Sequence, residues 1–221
     1  MTALKRERLL LLDTLGAAPG AVLTEGDRVL ASAVFPGRSV SAVLVGGLKR
    51  MLVEAGIGLR DLSAIGVVSG PGSFTGVRTG LGVAKGLCEV TGLPLASVSR
   101  LAVLAEAVDL QDGFAVLDAG RGELYVREQK RTEPAREWLA TVDEFKHAAA
   151  GAPIVVAEEK TAELLDALAP RLHVLSAIDL LGPVRRCLQD GGTDVAWADA
   201  NYVLPESEIY TRPRHQTKAG D

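Results

Sequence analysis

The chain has 221 residues, room for one large domain or two small ones, and at 48% hydrophobic it can bury an ordinary core, with only 4% aromatics to pack it. Its formal charge of −4, from 24 basic and 28 acidic residues, offers no basic excess for a face that holds RNA unaided; RNA as the substrate of a complex is not excluded. Cys88 and Cys187 lack CxxC spacing and read as reduced thiols, and no apolar run reaches a signal-peptide core or a membrane span, so the reading is a cytoplasmic protein.

In chain order, Leu9–Leu12 followed by Asp13-Thr14 is a short buried strand ending in a carboxylate and a hydroxyl. Ala21–Thr24 and Val29–Val34 follow as strands joined by the turn Glu25-Gly26-Asp27. A helix comes next, with Val40, Leu44, Leu48, Met51, Leu52 and Ala55 on one face and Gly46-Gly47 inside it. Ala64–Val68 is a strand, a glycine-rich helix follows, and Pro94–Val98 closes a βββαβαβ order. The second half starts over: strand Phe114–Leu117, the turn Asp118-Ala119-Gly120, strand Glu123–Gln129, helix Val142–Ala149, strand Ile154–Ala157, helix Thr161–Leu168, strand Leu172–Leu175 and helix Ala177–Gln189. LLLLDTLG set beside AVLDAGRG is a weak internal echo that predicts two related halves. We place them at 1–105 and 106–221, with the boundary near Leu104–Gln111, and read 191–221 as a surface segment with a polar end.

The stretch Ser69–Gly92 organises this plan. Pro71 and Gly72 turn the chain, Ser73 or Thr75 caps a helix, and Gly80, Gly82 and Gly86 each cost that helix about 1 kcal/mol relative to alanine. Such a helix expects an unusually close neighbour. Gly76, Gly80, Ala84 and Cys88 form one ridge of small residues, while Val77, Leu81, Val83, Leu87 and Val90 cover much of the rest, so burial on two sides is expected.

Chemistry is sparse. Gly70, Gly72 and Gly76 give GxGxxxG after a strand and before a helix, but the acidic residue that would hold a ribose is replaced by Ser97 and Ser99. No GxxxxGK[ST] occurs. A nucleotide on Asp13, Thr14, Gly70 and Gly72 competes with a tight packing turn, and the residues favour packing. Asp13 and Asp118 either hold a metal nucleotide across a cleft or cap their own turns. His147, His173 and His215 are scattered, which gives a metal site no support; Cys88 lacks a base, and Ser73 sits outside a GxSxG elbow. Arg121 and Glu123 read as solvated charges, as do the tail residues Arg212, Arg214 and Lys218.

GPGSFTGVRTGLGVAKGL after a strand and before GLPLASVSRLAVLA, with LLLLDT and VLDAGRGELYV, is similar to the hallmark of the TsaB (YeaZ) family, over nearly the whole chain. The resemblance implies an α/β, duplicated actin/hexokinase-like (ASKHA) fold with two βββαβα-type lobes, the second abbreviated. It implies a part in making threonylcarbamoyladenosine beside the anticodon of tRNAs that read codons beginning with A. The catalytic paralogue TsaD carries an HxxxH metal pair where this chain has Ser99 and Val103, and neither replacement is a useful ligand. The implied role is therefore a non-catalytic scaffold that binds TsaD, with the ATPase TsaE joining, no cofactor of its own, ATP and metal on the partner subunits, and tRNA met only as substrate of the complex. Partner contact, with TsaD or a second copy, is implied for the helices Val40–Ala55 and Gly76–Val90. We expect Leu44, Gly47, Leu48, Met51, Gly76, Gly80, Ala84 and Leu87 there, with Gly80 and Ala84 at the centre. Arg38-Ser39 and Gly46-Gly47 depart from the family pattern, which puts local partner specificity in view. The alternatives are an ATPase or small-molecule kinase of the same fold using Asp13, Thr14 and Asp118, and, after older glycoprotease naming, a peptidase.

Overall fold

A computed structural model describes residues 7–16, 18–36, 40–149, 151–201 and 203. Arg38, Ser39, Arg212, Arg214 and Lys218, singled out above, lie outside the described residues. The first lobe runs β1 (Arg8–Asp13), β2 (Gly20–Glu25), β3 (Arg28–Val34), α1 (Val40–Glu54), β4 (Ala64–Gly70), α2 (Phe74–Thr91) and β5 (Leu95–Ser99). After α3 (Arg100–Ala107) come β6 (Gly113–Gly120), β7 (Glu123–Gln129), β8 (Arg136–Thr141), α4 (Val142–Ala148), β9 (Ile154–Val156), α5 (Glu159–Leu164), β10 (Arg171–Leu172) and α6 (Leu181–Gln189).

The two sheets have one topology used twice. The first is ordered β3-β2-β1-β4-β5 and the second β8-β7-β6-β9-β10. In each, the central strand pairs antiparallel with its hairpin partner and parallel with the strand beyond the crossover. This is the duplicated actin/hexokinase-like architecture, and the second copy is abbreviated, with three residues in β9 and two in β10. The echo of Asp13 in Asp118 is thus structural: Asp13 ends the central strand of the first sheet, and Asp118 lies two residues before the end of the central strand of the second.

Two elements were not legible in the sequence. β8 reads REWLAT, with little alternation to betray it. Helix α3 hides in an apolar run; Ser99 caps it by accepting the Ala102 N–H at 3.4 Å, and Leu101, Val103, Leu104 and Ala105 are buried. It lies between the sheets. Alternation along β6 divides that strand accordingly: Ala115 and Leu117 join the large core with α3, while Phe114 and Val116 face α4 and α5 in a second core.

The division at 106 needs a correction. Helix α6 belongs to the second half by sequence but packs on the first sheet, where Gly66 leaves room for Val184: a Cβ at Gly66 would collide with Val184 Cγ2 and lie 2.9 Å from Cγ1. Residues 193–201 then run along the first lobe. Thr193 N–H donates to the Leu95 carbonyl at 2.7 Å, the Thr193 hydroxyl accepts from Ser97 N–H at 3.0 Å, and Asn201 N–H donates to the Ser69 carbonyl at 2.8 Å. Backbone pairing of this kind leaves no hydrophobic period for a sequence reading to detect.

Gly66→Ala is expected to cost about 1–3 kcal/mol in urea unfolding, through overpacking against Val184. Adding Val184→Ala should recover part of that loss, because the two sites share one space. Strictly additive effects would contradict the placement of α6 on the first sheet.

Candidate functional site

Two regions carry the residues singled out from sequence: the turn that leaves β1, and the surface of α1 and α2. At the turn, Asp13 is 2% exposed and its Oδ1 accepts the Leu15 N–H at 2.8 Å. The Thr14 hydroxyl donates to the Gly76 carbonyl at 2.7 Å, inside the first turn of α2. A Cβ at Gly80 would collide with Thr14 Oγ1, and one at Gly76 would sit 2.7 Å from the Thr14 carbonyl oxygen and 2.8 Å from Leu15 Cδ2. The close neighbour that the glycine helix calls for is therefore the chain's own β1 turn. The glycine loop is filled in the same way. Gly72 lies against Leu15, and Gly70, at φ +111°, lies against the Asn201 carbonyl. Both positions need glycine to let protein approach.

Across from this turn, Arg100 at the start of α3 is buried and pairs through Nη1 with Glu158 Oε1 at 3.1 Å, tying the first lobe to the loop before α5. The guanidinium lies so close to Gly16 that a Cβ there would collide with Nη2. Asp118 accepts the Gly120 N–H at 2.8 Å and pairs with Lys160 Nζ at 3.0 Å. The five residues considered for a metal nucleotide, Asp13, Thr14, Gly70, Gly72 and Asp118, are thus engaged by the protein, and the space beside Gly16 is taken by an arginine. The set does not fit such a ligand. Among the described residues, one buried donor in this region, Arg100 Nε, finds no partner.

Burial raises the carboxyl of Asp13 above its usual range, against the pull of Arg100 and the Leu15 N–H, with Asp179 adding to the rise. Asp118 goes the other way: partial burial pushes it up, but the Gly120 N–H and Lys160 outweigh this and hold it low. Equivalent aspartates in the two lobes have therefore diverged.

Ser99 and Val103, compared above with a metal pair, are a helix cap and a fully buried core residue. The Ser99 hydroxyl donates to Glu137 Oε1 at 2.6 Å; Arg127 Nη1 joins it at 2.8 Å, and Asn201 Nδ2 donates to Glu137 Oε2 at 2.9 Å. Among the described residues no group of three His, Cys, Asp or Glu side chains is placed to hold a metal ion, and no helix is long and apolar enough to cross a membrane.

The surface of α1 and α2 differs from the expected one in which residues face outward. Leu44, Gly47, Leu48 and Met51 are buried, as are Gly76, Gly80 and Ala84. Gly47 is packed on the Phe35 ring, with a Cβ position 3.1 Å from Cζ. The small-residue ridge is covered from inside by Thr14 and Leu15, so its centre is not on the outer surface. Of the eight expected contact positions, Leu48 and Leu87 line an open groove between the helices, of about 550 Å³, with Val45, Val53, Val83 and the bare backbone at Gly82 and Gly86. Val45, Val53 and Val90 stand 63%, 70% and 86% exposed. Gly82 and Gly86 have nothing within 4 Å of a built Cβ. They form a second i, i+4 pair, legible in the sequence, but a helical pattern alone does not say which of two small ridges faces the sheet.

A family model described as TsaD, tRNA N6-adenosine threonylcarbamoyltransferase, matches residues 37–178, which include α1 and α2. The chain is 34% identical over 130 residues to the Escherichia coli K12 tRNA threonylcarbamoyladenosine biosynthesis protein TsaB, covering 57% of this chain and 56% of the relative. It is 52% identical over 68 residues to the tRNA N6-adenosine threonylcarbamoyltransferase of Cereibacter sphaeroides KD131, covering 31% of this chain and 19% of that one. The matches span about half of the first relative's length and a fifth of the second's. Among solved structures, YeaZ from Pseudomonas aeruginosa superposes with a TM-score of 0.72 at 26% identity, covering 89% of this chain and all of that one.

Asp13 supplies a test of the buried turn. With its folded value raised, the folded chain holds a proton that the unfolded chain releases near the ordinary value of 3.8. The stability that protonated Asp13 contributes is complete below that value and is lost as pH rises through the folded one. Asp13→Asn keeps the acceptor and cannot ionise, so its advantage in Tm over the natural chain should widen as pH rises from about 4 to 7. A gap that narrows over that range would mean the carboxylate is stabilised in the fold.

Proposed function

The chain belongs to the TsaB (YeaZ) family, and on that premise we propose that it acts in tRNA threonylcarbamoyladenosine biosynthesis in the cytoplasm as a subunit without chemistry of its own, docking TsaD through the open faces of α1 and α2. The observation that carries this reading is the groove between those helices. Single exposed valines are ordinary on a protein surface, but a contiguous apolar groove is not. Nor does the fold give an internal reason for Gly82 and Gly86, each of which costs the helix about 1 kcal/mol. Bare backbone at the rim of an apolar groove suits a partner helix at close range.

The partner's identity rests on likeness. The transferase family model spans both helices, so TsaD brings a counterpart of the same pair, and the contact is one homologous helix pair on another. A second copy of this chain offers the same surface and competes for it. TsaE joins the assembled complex, and ATP and metal belong to the partner subunits. The tRNA meets this chain only within the assembly, in keeping with a net charge of −4. The absence of chemistry is supported by the Arg100–Glu158 pair, by the β1 turn buried on α2, and by Ser99 and Val103 in structural roles.

Reconstitution tests the role. Mixing the chain with TsaD, TsaE and threonylcarbamoyl-adenylate synthase should give modified tRNA only when the chain is present, and Asp13→Asn should leave the yield intact. Glycine variants test the surface. Gly82→Ala and Gly86→Ala should each stabilise the isolated chain by up to about 1 kcal/mol. Gly80→Ala should destabilise it through the collision with Thr14. Gly86→Leu should weaken TsaD binding at least about tenfold with no loss of Tm. Unchanged affinity for Gly86→Leu, or modification that proceeds without the chain, would sink the proposal.

A further inference from the structure

The groove accounts for one flank of α2. The other flank faces residues 193–201: Lys85 Nζ donates to the Ala198 carbonyl at 2.9 Å, which fixes that segment alongside the helix. Phe74, Arg78 and Lys85 stand at i, i+4 and i+11, within about 40° of one another around the axis at 3.6 residues per turn. Phe74 and Arg78 therefore lie on the flank that meets the segment. Phe74 is 54% exposed, and the Arg78 guanidinium lies 3.9 Å over its ring. On the segment itself, Trp197 is 84% exposed.

That exposure is unusual for this chain. It has two tryptophans, and the other, Trp138, packs edge-on against Phe114 with ring centroids 6.3 Å apart. Trp197 is also held in place. Asp194 accepts the Ala196 N–H on Oδ1 at 2.8 Å, and its carbonyl accepts from Trp197 at 3.1 Å and Ala198 at 2.9 Å. Ala198 is buried in the main core. A rigid turn that presents a large ring to water has paid the ordering cost of a contact in advance. Tryptophan and arginine are the residue types that most often carry binding energy at such contacts.

We propose that the partner of α2 straddles the helix, filling the groove on one side and closing on the other over the exposed side chains of Phe74 and Arg78 and, separately, of Trp197, with Trp197 as its anchor. The occupant is TsaD, and in this the inference rests on the function proposed above. The footprint then includes a piece of the C-terminal segment that lies beyond the stretch matched by the transferase model, which ends at 178.

The chain can be labelled with 5-fluorotryptophan and titrated with unlabelled TsaD. Fluorine NMR should give two resonances, assigned with Trp197→Phe. The Trp197 signal is expected to shift or broaden on binding while the Trp138 signal stays, and Trp197→Ala should lower TsaD affinity at least about tenfold at unchanged Tm. Binding confirmed by calorimetry with a stationary Trp197 signal would overturn the inference and leave the groove proposal standing. A signal that moves with the concentration of this chain alone, and no further with TsaD, would overturn TsaD as occupant in favour of a second copy. No binding of TsaD at all would overturn the groove proposal and this inference together.

Discussion

The fold depends on the seating of Thr14 in α2. One hydroxyl, bonded to the Gly76 carbonyl and nested against Gly80, fixes how the end of β1 meets the helix. That contact decides the rotation of α2 about its axis. With Gly76, Gly80, Ala84 and Cys88 turned inward, Gly82 and Gly86 must face out. The same seating carries Leu15 over Gly72 and Gly76, which fills the glycine loop with side chain. A loop built for close approach is thereby used for packing within the chain.

This explains what was legible and what was not. Apart from β8 and α3, the strand and helix order came through because β1, β4 and β5 are short apolar runs, and because Ser73 and Gly92 mark the ends of α2. The duplication was legible from eight residues around each aspartate, since the hairpin after a central strand needs the same turn chemistry in both lobes. The inward and outward faces of α2 were not. Its two small ridges differ only in what β1 does beside them, and that depends on a contact 62 residues away in sequence. The ion pair across the lobes was hidden for a related reason. Arg100 sits in an apolar run and Glu158 in an acidic pair, Glu158-Glu159, and neither gives a sign of meeting the other.

The two aspartates show how duplicated positions can part in their surroundings while the architecture persists. Asp13 and Asp118 keep equivalent positions, and each still accepts an N–H two residues on. Their surroundings have separated. Asp13 is sealed under the first lobe with its carboxyl raised by burial, and Asp118 stays near solvent, held low by its turn and a lysine. A pair meant to grip one cation between lobes needs both carboxylates charged and open. Here Asp13 is buried, and Arg100 and Glu158 link the two lobes directly.

The second lobe then has a different task. Glu137 of β8 gathers the α3 cap, Arg127 and Asn201 on one carboxylate, and Asn201 in turn holds the Ser69 carbonyl at the mouth of the glycine loop. Those bonds run from the second sheet, through the C-terminal segment, to the start of α2. Rigid-body opening of the lobes would have to break them together with the Arg100–Glu158 pair. In the role proposed above, a subunit that presents one helix surface in a fixed shape gains from each of these ties, because every degree of freedom removed before binding is one that binding need not remove.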